Sequence, residues 1–327
     1  MGDIGTLVNQ VASDSLIVKK DDLFIVPSIS ASVWTPEQVW NTGIVGTYTS
    51  SLYGLAVERC AYIDYPCRVL TLYRFLSYPN NNCAAVYGGG DPINPQDVFP
   101  SYLSHDASTS LITSYVNSSQ FAMANNKPML MFETNTASCS GFPGISDSFG
   151  AALWGLDWAF TMAFNNFSTA LFHVGGQNAY YNPFTPPPTT QSTFHQWTIG
   201  PIYYSALVMA EVLGPSNASQ VLDITQNPFT PIYVIYQNGT PTKLALFNFV
   251  TDSSGANDWI ATFAVGGGQT GQAGATPTSV QVKYVPIVHF LSSSNPSQVF
   301  ECPVGFCQGQ LYVGQSSAQS QLDRVHG

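Results

Sequence analysis

The stretch PMLMFETNTASCSGFPGISDSFG, Pro128 to Gly150, decides the fold. Four apolar residues, Met129-Leu130-Met131-Phe132, run straight into one acid, Glu133. Small and polar residues follow, then a helix-like segment. A short apolar run closed by turn signals suits a buried strand of a parallel sheet. An acid at the C-terminal end of such a strand stands where α/β barrels place their chemistry. Glu133 therefore reads as a candidate nucleophile for cleaving a glycosidic bond. The plainer reading is a strand-end carboxylate that caps the next helix or faces solvent.

Working outward, apolar runs at 23–31, 53–58, 128–133 and 169–174 predict four strands. Helical spacing fills the gaps between them. Thr35 caps a helix opening with Pro36 and running to about residue 51. Asp106 is placed to cap a helix over 107–125, and Ser146 or Asp147 one ending near Phe164. Trp154, Trp158 and Met162 share a face of that last helix and read as core. A final helix spans 203–213 and stops at Gly214-Pro215. Strands alternating with helices predict βαβ units and a parallel sheet. Four strands are half of an eight-stranded barrel. Beyond Gly214 the pattern becomes short alternating runs at 232–236, 244–250, 259–265 and 280–285, with Asn238-Gly239 as a hairpin turn. The expected division is 1–213, a partial barrel, and 214–327, an antiparallel β domain.

Composition narrows the function. Charged residues make up 9% of the chain, aromatics 13%, and the net charge is -10. No basic stripe is present to neutralise phosphates, so nucleic acid is excluded as a partner. No apolar run is long enough to span a membrane. Four Asn-x-Ser/Thr sequons, at Asn117, Asn166, Asn217 and Asn238, are candidate glycosylation sites and point outside the cell. Six cysteines fit an oxidising compartment or buried thiols. The first residues, MGDIGTLVNQ, do not read as a signal peptide.

Five glutamates occur, at 37, 58, 133, 211 and 301. Glu37 sits in a first helical turn, where the dipole favours a carboxylate. Glu211 lies on the final helix and reads as solvated. Glu58 and Glu133 both end strands. Two carboxylates about 5 Å apart can cleave a glycoside with retention, so this pair is a candidate. Scattered histidines offer no metal motif, and no cofactor is expected. Gly144-Ile145-Ser146-Asp147-Ser148 nearly spells a hydrolase nucleophile elbow, but Ser148 stands at the required glycine. Gly266-Gly267-Gly268 has no helix after it and reads as a flexible turn.

The blocks ETNTASCSGFPGISDSFGAALWGLDWA and ALFHVGGQNAYYNPFTPPPTTQSTFHQWTIGPIYYSALVMAEVLG resemble the fungal family 79 glycoside hydrolases, the β-glucuronidase group related to heparanase. PSISASVWTPEQVWNTG and PIYVIYQNGTPTKLALFNFVTDSSGANDW resemble it too, and the likeness covers about residues 1–285. It implies the C-terminal half of a (β/α)8 barrel, strands five to eight, followed by an antiparallel β-sandwich-like domain, both incomplete. It implies a retaining mechanism with Glu133 as nucleophile. It also implies a secreted protein acting on a glucuronic-acid-containing glycan, releasing glucuronic acid or its 4-O-methyl ether. With almost no Lys or Arg in the site loops, Asn135, His173, Gln177, Tyr180 and Tyr181 are the candidates for holding the sugar.

Three departures from that group shape the expectation. The general acid/base belongs to an Asn-Glu-Pro type motif that this sequence lacks. The chain thus reads as N-terminally incomplete and inactive alone, the alternatives being a non-catalytic carbohydrate-binding remnant or a mis-assembled gene. Cys60 to Ser77 reads as a translated intron whose eighteen codons keep the frame. The tail beyond Val285 loses the pattern. Cys302 and Cys307 are a candidate local disulfide there, and Cys83 with Cys139 a candidate tie between two site loops, for geometry to decide.

Overall fold

A computed structural model of the chain describes residues 2–14, 24–26, 34–58, 77–187, 197–252, 279–283 and 297–301, with isolated positions between 254 and 274. Helix α1, Gly2–Ser13, precedes strand β1, Phe24–Val26. Next come α2, Pro36–Val39, a π-turn at Trp40–Ile44, α3, Val45–Thr47, and β2, Leu52–Val57. Two-residue β3, Asn80–Asn81, leads to α4, Cys83–Tyr87, and α5, Pro95–Val98. Helices α6, His105–Ile112, and α7, Val116–Ala124, precede β4, Met129–Thr134, and β5, Ala137–Ser138. Then follow α8, Phe149–Phe164, β6, Phe167–Phe172, β7, Phe184–Thr185, β8, Thr198–Ile199, and α9, Ile202–Leu213. Strands β9, Ser219–Asp223, β10, Ile232–Gln237, β11, Thr240–Leu246, β12, Ser279–Lys283, and β13, Ser297–Glu301, end the chain's described elements.

The expected parallel sheet is present, in the order β1-β2-β4-β6, every pairing parallel. One face is covered by helices: Leu55, Val57, Met129 and Met131 enter the main apolar cluster with Trp154 and Trp158 of α8. The other face carries Gly54 and Leu130, and a Cβ on Gly54 would stand 2.6 Å from Leu130 Cδ1. Asp157 and Thr161 apart, helix α8 is apolar, and it is buried nearly all round, as a central helix must be. An antiparallel sheet, β11-β10-β9, packs on its far side through Tyr233 stacked on Phe160 at 4.8 Å. A single buried cluster thus runs from the parallel sheet through α8 into residues 233–249.

Local chemistry explains where elements start. Thr35 makes a full capping box with Gln38, and Pro36 takes the first turn as expected. Two other caps are corrected. Ser104, not Asp106, caps α6, because its hydroxyl reaches the Asp106 amide. Ser148 precedes α8, while Ser146 instead accepts from the Phe142 amide at 2.8 Å and Asp147 from the Gly144 amide at 2.7 Å. The helix expected over 107–125 is broken by a 3-10 turn at Thr113–Tyr115. Strand β9 has no counterpart among the runs that predict strands. Asn238 and Gly239 form the hairpin turn with φ of 51° and 75°. Residues 59–76 and 302–327, hence nearly all of the Cys60–Ser77 segment and the Cys302–Cys307 pair, lie outside the described residues, as does most of the strand expected at 259–265.

Candidate active site

The end of β4 is built around a bulge. Between Met131 and Thr134 this strand advances three residues while β6 advances two, Ala170 to Phe172. In regular alternation Glu133 would share the face of Met131 and point at α8. The extra residue returns Thr134 to that face instead, where its Oγ1 accepts from Trp158 Nε1 at 3.1 Å. Glu133 is thereby turned to the other face, the kind of re-aiming that bulges perform beside functional sites. There Tyr78 donates its hydroxyl to Glu133 Oε1 at 2.6 Å. Tyr78 is buried and Glu133 half-buried, so the bond is held in a shielded setting. A short O–H···O⁻ bond to a carboxylate is among the stronger single contacts in a protein.

Tyr78 is a site residue that sequence reasoning missed; it lies in an Asn-rich loop with no periodicity to mark it. Glu58 follows β2, the strand beside β4, and Tyr78 supplies a hydrogen bond to Glu133. The loop after Glu133 is tied down densely. Strand β5 pairs with β3, Asn82 Nδ2 donates to the Gly141 carbonyl at 2.7 Å, and Cys83 is disulfide-bonded to Cys139 with Cα atoms 5.0 Å apart. Tyr102 donates to the Thr136 carbonyl at 2.7 Å; burial pushes its hydroxyl well above the usual tyrosine range. Cys139, Ser140 and Gly141 all have φ between 58° and 76°, so the chain reverses within three residues.

The remaining expected site residues gather at the neighbouring end of β6, in different roles. Asn135 is fully buried: its amide donates to the His173 carbonyl at 3.0 Å and accepts from the Thr136 amide, bracing two loops. His173 Nδ1 lies 2.9 Å from the hydroxyl of buried Tyr181. Tyr180 is half-buried, its amide bonded to the Ser140 carbonyl at 2.8 Å, and Gln177 is exposed in a turn. Asn182 closes the loop by accepting from the Gly175 amide at 2.9 Å and donating to the carbonyl of Gly176 at 2.9 Å. Among the described residues no cluster of three or more metal-ligating side chains occurs. The four sequon asparagines are all exposed.

The loop's packing gives a sharp stability prediction. A Cβ on Gly200 would stand 1.9 Å from the backbone oxygen of Asn182, whereas one on Gly176 meets nothing within 4 Å. Gly200→Ala is expected to lower stability by about 3 kcal/mol, at the top of the overpacking range, because backbone must move. Gly176→Ala should be nearly silent. Denaturant midpoints of the two variants check this.

Over 133 residues the chain is 32% identical to a curated β-glucuronidase of Neurospora crassa, a stretch that is 37% of this chain and 23% of the relative. Over 152 residues it is 30% identical to a β-glucuronidase of Aspergillus niger, covering 45% of this chain and 28% of that protein. Over these stretches the chain is similar to fungal β-glucuronidases. The matched stretches span about a quarter of the length of these curated relatives. No protein-family profile matches. A solved 4-O-α-L-rhamnosyl-β-D-glucuronidase from Fusarium oxysporum 12S, in complex with Rha-GlcA, shares the fold with a TM-score of 0.52 at 20% identity, over 80% of this chain and 45% of that one.

Proposed function

We propose that this chain is the nucleophile-bearing part of a retaining β-glucuronidase, secreted and glycosylated, with Glu133 as the attacking carboxylate. The observation that carries it is the Tyr78–Glu133 bond at a bulged strand end, in a chain similar to fungal β-glucuronidases. The four parallel strands serve as the second half of a (β/α)8 barrel, residues 1–213, with 214–327 as the β domain. His173, Gln177, Tyr180 and Tyr181 form the sugar-side wall, and Asn135 holds it to the strand end. In this reading Tyr78 fixes the orientation of the carboxylate before attack. The anomeric carbon gains an ester bond to Glu133 and the aglycone leaves with its bonding pair. An ordinary aglycone needs a proton as it leaves, and the sequence holds no Asn-Glu-Pro motif to give it.

The chemistry sets the test. The chain of residues 1–327 is expected to leave phenyl β-D-glucuronide intact. With 2,4-dinitrophenyl β-D-glucuronide, whose leaving group needs no proton, it should release one equivalent of phenolate and then stall. Steady turnover of the phenyl substrate that is abolished in Glu133→Gln would overturn the incompleteness while sparing the nucleophile. A folded chain that releases no phenolate in the burst assay would overturn the nucleophile reading itself; saturable glucuronoside binding alongside would favour a binding module.

A further inference from the structure

Outside the candidate site, one group of ionisable side chains is buried where three elements meet. His105 begins α6, Asp157 lies in α8 and Asp223 ends β9. His105 Nδ1 lies 3.0 Å from Asp157 Oδ1, and its Nε2 lies 3.0 Å from Asp223 Oδ2. Tyr233 of β10 donates its hydroxyl to Asp157 Oδ1 at 2.6 Å. The Thr225 amide donates to Asp223 Oδ1 at 2.8 Å. The His105 amide donates to the Pro228 carbonyl at 2.8 Å. Asp106, the other charged group on this turn of α6, is exposed. The side chains of His105, Asp157 and Asp223 are 8%, 1% and 13% exposed, so water has little access to these contacts.

The hydrogen count favours a charged ring: the Tyr233 hydroxyl also lies 3.2 Å from His105 Nδ1, but its one proton goes to the shorter bond with Asp157. A carboxylate only accepts, and a neutral imidazole carries one N–H. Carboxylates on both ring nitrogens leave one contact without a proton unless the ring is an imidazolium. Removing that cation would leave two buried anions uncompensated, the costly outcome for a buried ion pair.

We propose that Asp157, His105 and Asp223 form an ionic lock that fastens the antiparallel sheet to the helical layer, closed by a protonated His105 at neutral pH and opened when that proton leaves in alkaline solution. Burial alone would push the His105 pKa down; the bonds and charges of Asp157 and Asp223 outweigh it and hold it up to about 10. Burial likewise pushes the Asp223 carboxyl up, but His105 and Thr225 bring it below its ordinary value. The sign follows from proton linkage. The His105 contribution is whole below about pH 6.5, its unfolded value, and is lost as pH rises to about 10. The Asp223 contribution is present above its ordinary value and is lost as pH falls through its lowered one. A cut after Leu213 would remove Asp223 and Tyr233 together, so the sheet is a fixed part of the fold and not a separable appendage.

The test uses the full chain with 15N-labelled histidine, followed by NMR from pH 6 to 11. At pH 8 the resonances assigned to His105 should show both ring nitrogens protonated, with a titration midpoint near 10. A neutral tautomer at pH 8 overturns the lock. His105→Gln gives the assignment. Should it fail to fold, Asp223→Asn, at the most exposed corner, supplies it and should lower the midpoint by at least one pH unit; an unmoved midpoint overturns the lock. Hydrogen exchange read by mass spectrometry then tests the opening. After correction for base catalysis, β9–β11 amides should gain exchange between pH 7 and 10.5 well beyond those of β4. Uniform change overturns it.

Discussion

Glu133→Gln is expected to abolish covalent labelling by 2,4-dinitrophenyl β-D-glucuronide. The wild-type chain should carry one glucuronyl group on the peptide containing Glu133, seen as a mass increment after proteolysis. On the proposed reading the adduct accumulates, because its hydrolysis needs a base to activate water and the proposal gives this chain no such base. The amide of Gln keeps an oxygen to accept from Tyr78, so the loop geometry survives. It has no anionic oxygen to attack with, and the rate should fall at least about a thousandfold, the scale seen when a covalent nucleophile is removed. Azide sharpens the result. It needs no deprotonation, attacks the anomeric carbon of the adduct and frees the Glu133 carboxylate. Wild type should therefore turn over slowly in azide and yield the β-glucuronyl azide. An α-azide product would show a single displacement and remove Glu133 from the role. Label on another residue, or label surviving in the Gln variant, would do the same.

Much of this arrangement was legible in the chain because apolar runs and turn residues carry local physics. The strands expected at 53–58, 128–133 and 169–174 fall within two residues of Leu52–Val57, Met129–Thr134 and Phe167–Phe172, since strands of a parallel sheet read as short apolar runs. Glu133 stands out because it ends the apolar run and polar Thr134-Asn135-Thr136 follow it. What stayed hidden was set by contacts distant in sequence. The bulge that turns Glu133 depends on the register of β4 against β6, and Tyr78 reaches its partner across 55 residues. Asn135 reads as a sugar-facing amide in sequence, yet its side chain is taken by backbone groups at 0% exposure. Asp157 sits among the apolar residues of α8, and its partners His105 on α6 and Tyr233 on β10 follow from tertiary packing alone. Ser146 and Asp147 look like helix caps because both types cap; which residue caps is settled by whether a nearby amide claims the side chain first.

Trp158→Ala is expected to cost about 4 kcal/mol, within the range for deleting a buried tryptophan. Trp158 is fully buried in the cluster between the sheet and α8, and its indole N–H holds Thr134. Set against a total stability of roughly 5–15 kcal/mol, this loss should lower Tm by roughly 10 °C and populate unfolded chain under ordinary conditions. Trp158→Phe separates packing from placement. It keeps an aromatic body and loses the N–H, leaving Thr134 with only its donation to the Ser77 carbonyl. The expected stability loss is smaller, about 1–2 kcal/mol. Thr134 directly follows Glu133, so its release should loosen the bulge. The variant should then form the glucuronyl adduct several-fold more slowly while remaining folded. An adduct rate that tracks stability alone across the two variants would show that Trp158 only packs. A folded Phe variant with slowed labelling would show that the helix behind the sheet holds the bulge, and through it the carboxylate, in place.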